Sequence, residues 1–272
     1  MIDHAIVNLY RIWHGTLHLK GAGALLTRMA TSVRGLQNYQ LQLPEGQLLE
    51  VDFRDVSAMY WLNHLLGDKF EEEGLLAAIK PFLKSGDVVW DIGANSGLLS
   101  YNLANSVDLG ELQLFEPNPR MSQLAAQAVS SFKNAKVNHF GLSDRNADLI
   151  LTIPEGHTTM GTLDPEATER SGRECHVTCR AGDEMVFNDG MRPPRVIKID
   201  TEGHELAVIA GLSQTIAVHR PVIFFEHISL DIDKVTSLVP PDYTLFTVSD
   251  LTGELITGFQ GNAGHNSALV PG

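Results

Sequence analysis

From residue 86 onward the chain alternates short apolar strands with amphipathic helices, and nothing else in its 272 residues restricts the fold as much. DVVWDIG reads as a buried strand, GLLSYNLANS as a helix, LQLFEP as a second strand and NPRMSQLAAQAVSSF as a second helix. That second helix has a clear start. Asn118 can cap it, Pro119 fits its first turn, and Met121, Leu124, Ala125 and Ala128 mark one face. KVNHFGLSD is a third strand. After an interruption, in which ADLILTIPEGHTTMGTL and ECHVTCR read as extended segments around a polar loop at 155–173, the alternation resumes. RVIKID, PVIFFEH and YTLFTVSD are strands, and HELAVIAGLSQTIAV is a helix with Leu206, Ile209, Leu212 and Ile216 on one face. SALV is expected as a last strand, antiparallel at the edge. Parallel strands need crossover helices, and these cover both sheet faces. The expectation is an α/β chain with about seven strands in one open, mainly parallel sheet.

The first part reads differently. LQLPEGQLLEV at 41–51 suggests a hairpin around Pro-Glu-Gly, and DVSAMYWLNHLLG and EEEGLLAAIKPFL suggest helices. These pieces cannot bury their own apolar faces. Residues 1–69 are therefore expected as a helical and hairpin cap on a main domain at 70–272. Composition narrows the partners. The net charge is −13, from 20 basic and 33 acidic residues, and no Lys/Arg cluster occurs. A nucleic-acid partner and an anionic membrane surface are both disfavoured. Two cysteines, Cys175 and Cys179, make neither a disulfide framework nor a zinc set. The N-terminal MIDHAIVNLYRIWHG lacks the plan of a signal peptide, and no apolar run approaches the ~20 residues of a membrane helix. The expected location is the cytoplasm, without membrane insertion.

The turn after the first strand, DIGANSG, lies where doubly wound sheets bind ligands. Two cofactor classes use such a turn. Dinucleotide enzymes want G-x-G-x-x-G, whereas here Gly93 and Gly97 flank a run with no middle glycine. Asp91 precedes the first glycine. A carboxylate beside a pyrophosphate is repelled, but beside an amino or sulfonium group it is favoured. Glu116 closes the second strand, where a carboxylate can accept both hydroxyls of a ribose. The acid before the glycine tips the choice from NAD to S-adenosylmethionine. A structural turn that uses glycine only to bend is the competing reading.

Together VVWDIGANSGLLS, LFEPNP, GLSD and VIKIDTEGHELAVIAG resemble the FkbM-type S-adenosylmethionine-dependent methyltransferases, over roughly residues 70 to 272. The most specific piece is KIDTEGHE, which is similar to that family's Lys-Ile-Asp-x-Glu-Gly signature. The resemblance implies a Rossmann-like, seven-stranded, mainly parallel sheet with an antiparallel edge strand. It also implies O-methylation of a hydroxyl on a small-molecule or glycan acceptor: a sugar, glycolipid or polyketide-type natural product. The chain departs from the pattern at RAGDEMV, where Gly182-Asp183 stands in place of Leu-Asp.

Cofactor contacts are expected from Asp91, Gly93, Asn95, Gly97 and Glu116, with Asp144 available to the adenine amino group. KIDTEGHE places Asp200 at a strand end beside the transferred methyl, with Glu202 and His204 on the turn that follows. Positioning or proton removal is assigned in the order Asp200, Glu202, His204. The competing role for the two acids is to cap the helix from 204. Glu226 and His227 close a fully apolar strand on the same sheet edge, where one of them can hold the acceptor. His157 lies in a loop that can close over the site. Lys198, inside a buried strand, needs an ion-pair partner. A divalent metal on these hard oxygens is possible but not indicated, because no His/Cys ligand spacing occurs. An NAD-type oxidoreductase on the same fold, or a non-catalytic methyltransferase-like binding domain, are the alternatives.

Overall fold

The computed structural model describes residues 2–16, 21–70, 72–154, 161–163, 172–228, 230 and 232–272. Helices α1 (Ile2–Tyr10) and α2 (Ala22–Ala30), the hairpin β1 (Tyr39–Gln42) and β2 (Leu48–Val51), and helix α3 (Val56–Leu65) come first, followed by α4 (Glu73–Ile79). Asp55 caps α3 by accepting from the Ser57 N–H at 3.0 Å. The main sheet opens with β3 (Val88–Ile92), α5 (Leu98–Ser106), β4 (Glu111–Phe115), α6 (Pro119–Ala128) and β5 (Ala135–Asn138). As the sequence suggests, Asn118 caps α6 with its side chain and Pro119 occupies the first turn.

The chain then leaves the sheet. Strands β6 (Gly141–Ser143), β7 (Ala147–Pro154) and β8 (Gly172–Ala181) make a separate three-stranded sheet, with β7 and β8 antiparallel. After α7 (Gly182–Phe187) it returns through β9 (Val196–Ile199), α8 (Glu205–Ala210), α9 (Ser213–His219), β10 (Val222–Glu226), α10 (Ile232–Ser237), β11 (Tyr243–Val248), β12 (Leu255–Thr257) and β13 (Asn266–Pro271). In space the main sheet runs β12, β11, β13, β10, β9, β3, β4, β5. From β10 to β5 every pair is parallel, and β13 is antiparallel to both of its neighbours. The order reverses between β3 and β9. The chain travels outward through β4 and β5, then restarts at β9 and travels the other way, which leaves a crevice at the strand ends.

Each face of the sheet has its own core. Val89, Leu112, Leu114, Val196, Val222 and Phe224 point to one side, and Trp90, Ile92, Phe115, Ile197, Ile199, Ile223 and Phe225 to the other. Alternate residues of a strand face opposite ways, so strands buried on both sides read as unbroken apolar runs. A third core joins the first seventy residues to the outside of α5 and α6, through Leu41, Leu49, Phe53 and Trp61 against Leu98, Tyr101, Met121 and Leu124.

The architecture is the expected one, with local differences. Among the described residues the sheet has eight strands, because β12 adds a hairpin partner to β11. KVNHFGLSD divides into β5 and β6, which belong to different sheets. At Gly141 a Cβ would lie 3.0 Å from Cys179 Sγ, so glycine lets β6 close onto β8. The helix read over 204–218 is two helices. Gly211 presses on the Ser143 carbonyl, where a Cβ would come within 1.9 Å, and Asp183 caps the second piece. SALV, expected at the edge, lies inside the sheet as β13. The loop with His157 falls outside the described residues. No helix among the described residues is long and apolar enough to cross a membrane.

Candidate active site

A cleft opens at the β3/β9 crevice. It is lined by Gly93 and Asn95 after β3, Glu116, Pro117, Asn118 and Met121 after β4, Gly141 and Leu142 of β6, Leu151 of β7, Gly161, Leu163, and Asp200, Thr201 and Glu202 after β9. Of the residues singled out by sequence, Gly93, Asn95, Glu116, Asp200 and Glu202 meet there. Asp91, Gly97, Asp144, His204, Glu226 and His227 do not line it.

Glu116 is held from two sides. One carboxylate oxygen accepts from the Asn95 N–H at 2.8 Å and the other from the Asn118 N–H at 2.8 Å. Burial nevertheless pushes its pKa up to about 7, against the pull of those two donors. Asn95 sits at φ 51° and Glu202 at φ 54°, the left-handed region that costs a side-chain-bearing residue of order 1–3 kcal/mol. Both strained residues line the cleft. Gly93, at φ 73°, packs on the Asp200 carbonyl, and a Cβ there would come within 1.7 Å of that oxygen. Gly97 at the start of α5 packs similarly on Ala125 of α6, at 2.9 Å. These glycines bring two loops and two helices together, in addition to turning the chain.

Asp91 faces inward. It is fully buried, accepting from Ser100 Oγ at 2.6 Å and lying 3.3 Å from Lys198 Nζ. The cation that this acid needs comes from within the fold. Lys198 also donates to the Gly93 carbonyl at 2.9 Å and lies 3.6 Å from Asp200 and 3.7 Å from Glu72. Burial alone would lower its pKa, but the carboxylates of Asp91, Asp200 and Glu72 outweigh that and hold the ammonium charged. One buried lysine thus ties the loop after β3 to the loop after β9.

The remaining candidates occupy other places. His204 Nε2 pairs with Ser143 Oγ at 2.9 Å, joining α8 to β6. Asp144 pairs with Arg145 at 3.0 Å. His227 lies just past the end of β10, with Nδ1 against Ser267 Oγ at 2.9 Å and its ring on Phe259. Burial lowers its pKa. Glu226 stands behind the cleft. Burial, then the charges of Asp200, Glu202 and Glu205, push its pKa up to about 9.

Sequence reasoning missed Glu205. Fully buried, it accepts through one oxygen from the Thr201 N–H at 2.8 Å, Thr201 Oγ1 at 2.9 Å and the Gly203 N–H at 3.2 Å, and so braces the loop that carries Glu202. An acid in the first turn of a helix was its only signal. Asp183, of the Gly182-Asp183 pair, caps α9 through the Gln214 and Thr215 N–H groups at 2.8 and 2.7 Å. Among the described residues no three of His, Cys, Asp or Glu converge as a metal-ligand set.

Residues 91–254, more than half of the chain, match the family model described as the methyltransferase FkbM domain. A curated relative, the hexuronic acid methyltransferase AglP of Haloferax volcanii, is 25% identical over 174 residues, covering 62% of this chain and 67% of the relative. A crystal structure of the methyltransferase FkbM from Methylobacillus flagellatus superposes with a TM-score of 0.47 at 16% identity, over 69% of this chain and 44% of that one. A precorrin-6y C5,15-methyltransferase from Geobacter metallireducens gives 0.41 at 15% identity, over 74% and 87%. On the strength of the family match, the chain belongs to the FkbM family of S-adenosylmethionine-dependent methyltransferases.

Proposed function

We propose that this chain transfers a methyl group from S-adenosylmethionine to a hydroxyl of a sugar, glycolipid or related natural product. The observation that carries the reading is Glu116. Its carboxylate is locked by two backbone N–H groups in a cleft that Asp200 and Glu202 also line. That donor set fits the cofactor. Glu116 would accept the ribose hydroxyls, Met121, Leu142, Leu151 and Leu163 offer apolar surface to the adenine, and the acids after β9 suit the positively charged end. When bound, the cofactor supplies an activated methyl group.

The protein must then align an acceptor oxygen and take its proton. Alignment alone contributes up to roughly 7–11 kcal/mol in ideal cases, and a base adds about 10²–10⁴-fold. Asp200 leads as the base and Glu202 follows. Lys198 lies 3.6 Å from the Asp200 carboxylate, Gly93 packs on the Asp200 carbonyl, and Glu202 follows on a turn with φ 54°. His204, engaged by Ser143, gives up the third place. The sugar acceptor draws support from the curated relative's description as a hexuronic acid methyltransferase. Calorimetric titration with S-adenosylhomocysteine, with NAD as control, tests the cofactor. Saturable binding of the first alone is expected, and binding of NAD alone would overturn the reading. Methyl transfer from labelled S-adenosylmethionine to a panel of sugars and glycolipids tests the acceptor.

A further inference from the structure

A second groove, of about 400 Å³, lies over β4 and β5 at the edge of the main sheet and shares no lining residue with the cofactor cleft. Its volume is within the roughly 300–1,000 Å³ of small-molecule sites. The floor is polar on a sheet face that is otherwise apolar. Gln113 and Asn138 share that face with Trp90 and Phe115, and Lys136 is the register partner of Gln113. Gln113 is 5% exposed and Asn138 6%. Asn138 Nδ2 donates to Gln113 Oε1 at 2.9 Å and to the Leu114 carbonyl at 3.1 Å, and Gln113 Nε2 donates to Glu111 Oε1 at 2.6 Å. This ladder is incomplete. Gln113 uses one of its two amide hydrogens, and among the described residues nothing donates to Asn138 Oδ1. The walls carry charge. Lys136, Arg180 and Arg192 come from three separate stretches of sequence, and only Glu111 and Asp189 oppose them in the described lining. Arg180 pairs with Asp189 at 2.6 Å and lies over the Phe140 ring, while Arg192 is 3.7 Å from Glu111. Lys136 is exposed, and no carboxylate among the described residues pairs with it.

We propose that this groove is a second binding site, for a small hydroxylated anion: a sugar that carries a carboxylate or a phosphoryl group. The charge comes first. In a chain of net charge −13, the described lining of the cofactor cleft holds Glu116, Asp200 and Glu202 and no cation, so an anion is repelled there. The groove has the opposite balance, and Lys136 and Arg192 are free to meet an anionic group. The hydroxyls follow from the floor. A bare anion only accepts hydrogen bonds and would leave Asn138 Oδ1 unmatched. A hydroxyl both donates and accepts, so it completes Asn138 and Gln113 together. Met185 and Met191 offer apolar surface to the C–H groups of a sugar ring. A neutral sugar would satisfy the floor and leave Lys136 unanswered. The site stands apart from the methyltransferase reading, since no residue of the cofactor cleft takes part in it.

The experiment is calorimetry on the full chain at low salt with four probes: glucuronate, glucose 1-phosphate, glucose and inorganic phosphate. At least one of the two sugar anions is expected to bind about tenfold more tightly than glucose or inorganic phosphate, the effect of one charge-assisted hydrogen bond. The tighter of the two tells a carboxylate ligand from a phosphoryl one. Added salt should weaken that binding. Lys136→Glu, at an exposed and unpaired position, should weaken it by about tenfold or more with the melting temperature unchanged, and Arg192→Met should weaken it as well. Glucose binding as tightly as the sugar anions would overturn the proposal by removing the role of charge. Inorganic phosphate binding as tightly would overturn it by removing the role of the hydroxyls. Binding that Lys136→Glu leaves unchanged would put the ligand elsewhere, and binding of no probe would remove the site; either result overturns the proposal.

Discussion

Glu116 is oriented before any ligand arrives, since both of its oxygens are spoken for by backbone N–H groups. Its ionisation then governs binding. With a pKa of about 7, the ionised carboxylate, which in the proposed function would accept the ribose hydroxyls, predominates only above neutrality. Affinity for S-adenosylhomocysteine should fall as pH drops from 7, approaching tenfold per unit, and titrations from pH 5.5 to 8.5 would show it. Glu116→Gln should weaken binding at pH 8 by tenfold or more and flatten that profile. Stability runs the other way. The folded pKa lies above the ordinary 4.5, so the group favours folding at low pH and loses that contribution as pH rises from 4.5 to about 7. The melting temperature of ligand-free protein should decline across that window, and less so in the Gln variant. Gly93→Ala should cost about 3 kcal/mol or more in urea unfolding, because the new Cβ meets the Asp200 carbonyl. Single residues were unevenly legible. Glu116 is announced by a strand that ends in Glu-Pro-Asn-Pro. Glu202 and Glu205 stand three apart in one short run, and composition alone does not say which turns inward; the strained φ at 202 and the bracing by 205 arise only in the folded loop.

At the scale of elements, patterning was readable where burial is simple. β3, β4, β9 and β10 are apolar runs because both of their faces are covered, and α6 announces its start through Asn118 and Pro119. Patterning failed where a contact distant in sequence breaks an element. The division between β5 and β6 is set by Cys179 on β8, and the division between α8 and α9 by Ser143 and Asp183, none of which is a local neighbour. Asp183 is the most testable of these. It gathers two backbone N–H groups and the Thr215 hydroxyl at the start of α9. Asp183→Ala should cost about 1–2 kcal/mol in chemical denaturation, as lost helix caps do, while affinity for S-adenosylhomocysteine stays within twofold.

For the molecule as a whole, the first seventy residues act as a layer on α5 and α6 and contribute nothing to the described lining of the cleft. Their link to the site is indirect. Trp61 Nε1 donates to Ser96 Oγ at 3.1 Å, and Glu72, just beyond them, reaches Lys198. Removing residues 1–69 would expose Leu98, Tyr101, Met121 and Leu124 as one apolar patch, so a chain from 70 to 272 should aggregate on size-exclusion chromatography. Lys198→Met should destabilise by about 3–5 kcal/mol, since Asp91 is left charged and buried, and adding Asp91→Asn should recover most of that in thermal melts. Strand order was the least legible feature at this scale, because hydropathy marks a strand without naming its neighbours.

The place of β13 bears on how the protein is made. Strand β10 pairs on one side with β9, which precedes it, and on the other with a strand about 40 residues further along the chain. At translation rates of about 5–20 residues per second, β10 emerges with its outer edge open and waits about 2–8 s for its partner. Through that interval the nascent chain offers VIFFE, four apolar residues closed by a glutamate, as an unpaired edge, the kind of segment to which chaperones and other nascent chains adhere. Yield on expression should therefore respond to slower growth temperature and chaperone supply more than to the stability of the finished fold.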